Sequence, residues 1–171
     1  MGPKQLFILR HAKSSWEDPG LDDHERPLAP RGRRAVSAMA EHIRDGGIEP
    51  ALVLCSTARR ARETLEGVDP AGERVIEAEL YGASAGDLVD RLRRVREEVP
   101  SVMVIGHNPA LQMLVLRLAS GATGDADGPL SQVQRKFPTG ALATLALDCA
   151  WSELEADCAT LRAFVRPRQL S

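Results

Sequence analysis

The hydrophobic pattern of the chain changes repeatedly between two periods. Short, nearly continuous apolar runs, typical of strands buried on both faces of a sheet, alternate with stretches whose apolar residues recur every three or four positions, as on one face of a helix. This alternation predicts an α/β fold: a single three-layer domain over residues 1–171, with a mostly parallel central sheet and helices on both faces. The predicted strands cover residues 5–9, 51–55, 74–78, 101–106, 140–148 and 159–165.

Two of the helical stretches begin with residues that commonly cap helices. Ser84 is followed three residues later by Asp87, which is the spacing of a capping box. Asn108 and Pro109 supply an N-cap and a first-turn proline for a helix predicted over 108–119. Both helices therefore have a defined start in the sequence.

Two further helices and two loops complete the pattern. A helix after the second strand has Ser56 or Thr57 available as its cap, and an earlier helix carries apolar residues at helical spacing over 36–43. The polar segments 17–32 and 120–131 are predicted to be loops. The first is unusually long for a plain connection, which makes it a candidate functional segment.

Composition and charge narrow the class of protein. With 171 residues, 43% of them hydrophobic, the chain is long enough to bury a core without cross-links. The formal net charge of −2 gives no electrostatic reason to expect nucleic acid or an anionic membrane as a partner. The three cysteines (Cys55, Cys149 and Cys158) are too scattered for a disulfide framework or a zinc site. No apolar run has the length of a signal peptide or a membrane span, so the expected location is the cytoplasm; the oligomeric state stays open.

Polar residues that can carry chemistry follow three of the predicted strands. Arg10 and His11 follow the first strand, the segment 56–62 follows the second, and His107 with Asn108 follows the fourth. In parallel α/β sheets, ligands bind beyond the carboxyl ends of the strands. We therefore expect these residues to meet at one edge of the sheet.

Two arginines and two histidines at one sheet edge would form an electropositive site. Arginine forks bind phosphate through bidentate, charge-assisted hydrogen bonds, and a neutral imidazole can attack phosphorus as a covalent nucleophile. A metal ion is disfavoured because neighbouring arginines repel a cation. The cluster therefore predicts phosphoryl chemistry that uses no metal ion and no cofactor.

Three motifs in these connections resemble the signatures of the histidine phosphatase superfamily. LRHAKSSW is similar to its arginine–histidine motif, VIGHNP to the motif with its second histidine, and STARRARET to its second motif through Ser56, Arg60, Ala61 and Thr64. Together with the short length, the words RHAKS, RPLAPRG and FPTGAL resemble SixA-type phosphohistidine phosphatases. The resemblance spans residues 5 to about 165 and implies a phosphoglycerate mutase-like fold.

The resemblance also implies roles for individual residues. His11 would be the nucleophile, and Arg10 with Arg60 would clamp the phosphoryl group. His107 would be the second histidine that completes the pocket. The substrate would be a phosphohistidine-bearing protein or a small phosphorylated molecule. The further substrate-binding residues are expected to be Asn108 and Ser14.

No motif marks a general acid. Glu79 lies in the appropriate region of the chain, and Asp18, Asp22 and Asp23 in the long loop are competitors. SixA-type relatives are thought to work without a dedicated acid. This is chemically reasonable for a P–N bond, because imidazole is a better leaving group than an alkoxide and needs less protonation.

Three hypotheses follow for the function. The first is a phosphatase that acts on phosphohistidine in a protein. The second is a small-molecule phosphomonoesterase, or a mutase-like enzyme, with the same covalent step and a loop carboxylate as acid. The third is a non-catalytic module that binds phosphate. The presence of both His11 and His107 argues against it, because binding alone requires no nucleophile.

Overall fold

The computed structural model describes residues 3–119 and 128–170. Its strands and helices alternate along most of the chain, as the hydrophobic pattern predicts. The strands are β1 (Lys4–Arg10), β2 (Leu52–Ser56), β3 (Glu73–Glu77), β4 (Ser101–Gly106), β5 (Leu142–Leu147) and β6 (Ala159–Val165). The α-helices are α1 (Pro30–Asp45), α2 (Arg59–Val68), α3 (Ala85–Arg93), α4 (Ala110–Leu118) and α5 (Pro129–Arg135).

The six strands form one sheet in the order β3-β2-β4-β1-β5-β6. The first four strands in this order pair in parallel, whereas β5 runs antiparallel to both β1 and β6. The prediction of a mostly parallel sheet is therefore confirmed. Strands β1, β2 and β4 are neighbours near the centre, so their carboxyl ends emerge side by side at one edge.

Helices cover both faces of this sheet, as predicted. Buried side chains of α1 and α2 pack on one face, and those of α3, α4 and α5 pack on the other. Within β1, Leu6 and Ile8 point into the second of these layers and Phe7 and Leu9 into the first. This alternation explains the apolar run: a strand covered on both faces buries every side chain.

The helix starts agree with the sequence in one case and differ in two. At α3 the capping box is confirmed, because Ser84 Oγ accepts from the Asp87 N–H (3.1 Å) and Asp87 Oδ2 accepts from the Ser84 N–H (2.9 Å). The prediction of a Ser56 or Thr57 cap for α2 is wrong, because Ser56 still belongs to β2 and the N-cap residue is Ala58, without a side-chain bond.

Helix α4 begins one residue later than predicted. Pro109 is its N-cap residue and Ala110 is the first helical residue. The Asn108 side chain still supports the first turn, because its Oδ1 accepts from the Gln112 N–H at 3.1 Å. The sequence thus predicts where the helix starts to within one residue, but not which residue is its N-cap.

Both predicted loops contain helical structure. The segment 17–32 includes a short 3₁₀ helix at Asp23–Glu25 and the start of α1, which begins at a proline. Part of the segment 120–131 belongs to α5, so the prediction of a loop is wrong for 129–131; residues 120–127 lie outside the described part of the chain. In both cases the helix starts with Pro, whose fixed φ suits a first turn but also marks loops.

Two features are absent from residues 3–119 and 128–170. None of the helices found there has the length and apolar composition needed to cross a membrane. Nor do these residues contain a group of three or more His, Cys, Asp or Glu side chains placed to hold a metal ion.

Candidate active site

The carboxyl edge of the sheet brings together the residues that the sequence places after three different strands. Arg10 ends β1 and His11 follows it, Arg60 lies in the first turn of α2, and His107 follows β4. These side chains line one pocket of about 250 Å³. The other residues that line this catalytic pocket are Lys13, Ser14, Trp16, Arg26, Asn108 and Thr139.

His11 is held as a neutral ring with one defined tautomer. Its Nδ1 lies 2.7 Å from the Ala12 carbonyl oxygen, which can only accept, so Nδ1 carries the hydrogen. Its Nε2 therefore presents a lone pair and accepts from Arg60 Nε at 3.3 Å. Burial is the main reason that the pKa of His11 lies at about 3, and the bond to Ala12, which favours the charged ring, offsets only part of this effect. The ring is thus neutral at neutral pH, with Nε2 available as a nucleophile.

The backbone around His11 is fixed by neighbouring elements. The His11 N–H donates to the Gly106 carbonyl at the end of β4 (3.1 Å), and the Gly140 N–H lies 3.0 Å from the Arg10 oxygen and 2.9 Å from the His11 oxygen. Gly140 has φ +78°, and a Cβ there would lie 2.8 Å from Pro167. Only glycine fits this position without strain, which gives the FPTGAL word a structural reason.

One nitrogen of the His107 ring has a hydrogen-bond partner and the other has none among the described residues. His107 Nε2 lies 2.8 Å from Ser56 Oγ, which also accepts from the Ala58 N–H at 3.2 Å. His107 Nδ1 is buried and makes no hydrogen bond to the described residues. Burial, followed by the charge of Arg60, lowers the pKa of His107 to about 4. The ring centroid lies 5.2 Å from that of His11, so Nδ1 is a polar atom that a ligand bound beside His11 can satisfy.

The two arginines next to His11, Arg10 and Arg60, differ in how they are held. Arg10 Nη1 donates to the Phe137 carbonyl (2.8 Å), while its buried Nε makes no bond to the described residues. Arg60 is fixed by Asp23, because Nη1 donates to the Asp23 carbonyl (2.7 Å) and Nη2 to Oδ2 (3.0 Å). Burial and then the charge of Arg60 lower the pKa of Arg10. This mutual repulsion of two guanidinium groups is relieved when an anion binds between them.

Asp23 organises the cations on one side of the pocket. Its carboxylate accepts from Arg60, from Arg26 Nη1 (3.0 Å) and from the Tyr81 hydroxyl (2.5 Å). The bond from Tyr81, followed by the bond and the charge of Arg60, lowers the pKa of Asp23 to about 2. Asp23 is therefore ionised at neutral pH and has no proton to give a leaving group. It positions Arg60 and Arg26.

Sequence reasoning missed two residues of this wall, Arg26 and Trp16. Arg26 is buried, donates to Ser14 Oγ (2.5 Å) and to the Ser15 carbonyl (3.0 Å), and its guanidinium carbon lies 3.2 Å from the Trp16 ring centroid. The Trp16 side chain is 70% exposed, so it forms an open rim. The signal for Arg26 was present, since it begins the word RPLAPRG.

The acids that the sequence favoured do not line the pocket. Asp18 is exposed and its Oδ1 accepts from the Gly20 N–H at 2.9 Å, which is a local turn. Glu79 is exposed in the short 3₁₀ helix Ala78–Leu80. Neither is among the residues that form the catalytic pocket. Sequence position alone could not show this, because the direction of each side chain depends on how the backbone turns between the elements.

Ser14 and Asn108, the two further predicted contacts, both line the pocket. The Ser14 hydroxyl accepts from Arg26 and so anchors the wall that carries Trp16. The Asn108 amide donates to Gln112 Oε1 (3.2 Å), which ties it to α4. In this structure both side chains support the walls of the pocket.

Comparisons with known proteins identify the family of this chain. The family model of the histidine phosphatase superfamily (branch 1) matches residues 6–104, which include the end of β1 and all of β4 except its last two residues. The match covers more than half of the chain, and the chain belongs to this superfamily.

Individual relatives place it near the SixA group. It is 41% identical, over 94% of its length and all of the relative, to an uncharacterized protein of Mycobacterium tuberculosis. It is 31% identical to the phosphohistidine phosphatase SixA of Escherichia coli, over 84% of this chain and 86% of that protein.

Solved structures show the same relationship. A chain from Nakamurella multipartitia, assigned provisionally as a phosphohistidine phosphatase SixA, matches with TM-score 0.86 and 28% identity over 98% of both chains. The protein histidine phosphatase SixA in complex with tungstate matches with TM-score 0.78 and 28% identity, over 98% of this chain and 99% of that one. Superfamily membership and these neighbours support phosphatase activity, on the phosphoglycerate mutase-like fold that the motifs implied.

Proposed function

We propose that this protein hydrolyses phosphohistidine in a partner protein through a covalent phosphoryl group on His11. The observation that carries the proposal is the His11 ring, which is buried, neutral and oriented so that Nε2 faces Arg60 in a pocket that Arg10 also lines. A nucleophile needs a lone pair, and the phosphoryl group that is transferred needs cations near its equatorial oxygens. This arrangement supplies both.

The reaction has two balanced steps. His11 Nε2 attacks phosphorus, a new P–N bond forms, and the P–N bond to the substrate imidazole breaks with its electron pair leaving on the substrate nitrogen. The leaving imidazole takes a proton from solvent. Water then attacks phosphorus and gives up a proton to solvent, and the P–N bond to His11 breaks with its electron pair returning to Nε2. Inorganic phosphate is released and His11 is again neutral.

The transferring group is stabilised by fixed donors. Arg60 and Arg10 face it with guanidinium groups, and the buried His107 Nδ1, which has no partner among the described residues, donates an N–H to it in the tautomer that accepts from the Ser56 hydroxyl at Nε2. Donors that are already in position stabilise the charge of the transition state without reorganisation. We therefore assign Arg10 and Arg60 to the clamp and His107 to an oxygen of the phosphoryl group.

The composition of the pocket favours a P–N substrate over a phosphate ester. The described residues that line it include no carboxylate, and the nearest one in the hydrogen-bond network, Asp23, is ionised. An alkoxide leaving group would need a proton donor in the pocket, whereas imidazole is a better leaving group, needs less protonation and can take its proton from solvent. The names of the SixA relatives, phosphohistidine phosphatase and protein histidine phosphatase, support the same substrate class.

We also propose that no metal ion takes part. Arg10, Arg60, Arg26 and Lys13 all line the pocket, and their charges would repel a divalent cation. Activity should therefore be unchanged by a chelator.

The test is phosphate release from two substrates by three forms of the protein. The substrates are a chemically phosphorylated phosphohistidine peptide and an aryl phosphate ester. The forms are wild type, His11→Ala, and the matched control His42→Ala, which changes a histidine of α1 that does not line the pocket. We expect release from the phosphohistidine peptide by wild type and control and none by His11→Ala. Turnover of the ester alone would instead assign a small-molecule esterase, and His11→Ala with full activity would overturn the mechanism.

A further inference from the structure

A second and larger groove, which we call the basic groove, adjoins the catalytic pocket. It has a volume of about 640 Å³ and shares Arg10, Lys13 and Thr139 with that pocket. Its walls come from the first turn of α1, the end of α5 with the residues after it, and the segment that follows β6. A molecule that occupies the pocket therefore has this groove directly beside it.

The charged residues that line the basic groove are all positive. Seven of the 22 Lys and Arg residues of the chain line it, and none of the described residues that line it is acidic. The chain as a whole has a net charge of −2, so this is a local concentration of positive charge. The seven cations are Arg10, Lys13, Arg31, Arg135, Lys136, Arg166 and Arg168.

Several arginines elsewhere in the molecule are paired with carboxylates. Arg91 donates to Glu77 at 2.7 Å, and Arg59 lies 3.2 Å from Glu63 on the same helix. In contrast, Arg31 and Lys136 lie beyond 4 Å from any carboxylate of the described residues. The usual explanation of a charged surface, an ion-paired solvated face, does not apply to these two residues.

We propose that the basic groove docks an acidic face of the substrate protein, next to its phosphohistidine. This proposal rests on the proposed function, and it specifies which kind of protein surface the enzyme prefers. The groove has about 640 Å³ against about 250 Å³ for the catalytic pocket. Its cations come from four separate segments of the chain and are mostly exposed, so they spread over a surface instead of converging on one small anion.

The expected effect of such a surface is on encounter and binding. Charges at the rim of an interface raise the association rate and favour complementary partners, while they contribute little to the chemical step. Their effect is screened by salt, because the Debye length is about 10 Å at 0.1 M ionic strength. An acidic substrate should therefore have a lower KM, a similar kcat, and a rate that falls with added salt.

Two phosphohistidine peptides of equal length test the proposal. In one the residues flanking phosphohistidine are Asp and Glu, and in the other they are Asn and Gln. The variant is Arg31→Gln with Lys136→Gln, two exposed groove residues outside the catalytic pocket. The matched control is Arg94→Gln with Arg96→Gln, two exposed arginines after α3 that line neither cavity.

We expect wild type and control to prefer the acidic peptide about tenfold in kcat/KM at low salt, as several surface ion pairs would give. In the groove variant this preference should fall to about twofold, because KM for the acidic peptide rises. The value of kcat/KM for the neutral peptide should stay unchanged. Three results would overturn the docking proposal without touching the proposed function. They are no preference of wild type for the acidic peptide, an undiminished preference in the groove variant, or an equal loss of kcat/KM on both peptides. Inhibition by triphosphate without any peptide preference would assign the groove to small anions. If wild type hydrolyses the aryl ester and neither peptide, the proposed function itself fails.

Discussion

The catalytic pocket and the basic groove share Arg10 but use positive charge in different ways. In the pocket, Arg60 and Arg26 are buried and each is held by hydrogen bonds to Asp23. In the groove, Arg31 and Lys136 are exposed and have no carboxylate within 4 Å among the described residues. The cations of the pocket are held in a fixed geometry, whereas those of the groove contribute a positive electrostatic potential at the surface.

This difference indicates a division of work between chemistry and recognition. Preorganised donors stabilise a transition state because they are already oriented, which requires the planar fork of arginine at a defined place. A surface field depends on the amount of charge and much less on its exact direction. Exchange of arginine for lysine, which keeps the charge and loses the fork, therefore separates the two regions.

The largest effect is expected from this exchange in the pocket. Arg60→Lys keeps the charge and loses Nε, which bonds His11, and the two nitrogens that bond Asp23. We expect kcat to fall by about 10²–10³-fold, as for the loss of a transition-state donor. Arg31→Lys in the groove should stay within about twofold of wild type on the acidic peptide. The measurement is steady-state kinetics of both variants on the acidic peptide. Equal effects of the two exchanges would remove the distinction between the regions.

A smaller effect is expected when the residue that orients the clamp is changed. Asp23→Asn keeps the shape of the side chain but removes the charge that holds Arg60 and Arg26. We expect kcat/KM to fall about tenfold, and to fall equally for the phosphohistidine peptide and the aryl ester, because positioning serves both. Asp18→Asn, exposed and outside the pocket, is the control. A loss confined to the ester would show that Asp23 is a general acid.

The smallest effect concerns stability and not rate. The pKa of His107 is lowered to about 4 in the folded chain, whereas an unperturbed histidine titrates near about 6.5. Between these values the unfolded chain binds the proton and the folded chain does not, so stability falls as pH falls through this window. The slope from this one residue approaches about 1.4 kcal/mol per pH unit.

The measurement is urea unfolding at intervals between pH 6.5 and 5, with wild type and His107→Gln. The variant should show the shallower dependence of the free energy of unfolding on pH, whatever its absolute stability. The lowered pKa of Asp23 acts only at lower pH, so it does not interfere in this range. Parallel slopes would contradict the account of His107 as a ring kept neutral by burial.

Most of the fold could be predicted from the sequence because strands buried on both faces leave an unambiguous apolar run. All six predicted strands exist, and β4 and β6 have the predicted bounds. The sequence also predicts that Arg10, His11, Arg60 and His107 meet at the carboxyl edge of the sheet, and they line one pocket there. This could be predicted because neighbouring parallel strands share one direction, which is a property of the topology and not of individual contacts.

What could not be predicted depends on contacts between distant segments. The position of Asp23 against Arg60 is set by a loop 37 residues away in sequence, and no periodicity specifies how such a loop turns. The basic groove is assembled from four segments, so its charge is invisible in a chain with a net charge of −2. Glu79 and Asp18 were reasonable candidates by position, and the turns of the backbone leave both outside the pocket.

The most direct test of the central claim is to trap the phosphoryl group. Wild type and His11→Ala would be mixed with the phosphohistidine peptide, quenched in alkali within milliseconds, and analysed by peptide mapping for a base-stable, acid-labile phosphoryl group. We predict transient labelling of wild type on His11 alone, at a rate no slower than turnover, and no labelling of the variant. Turnover without labelling, or labelling of His107 in place of His11, would contradict the account.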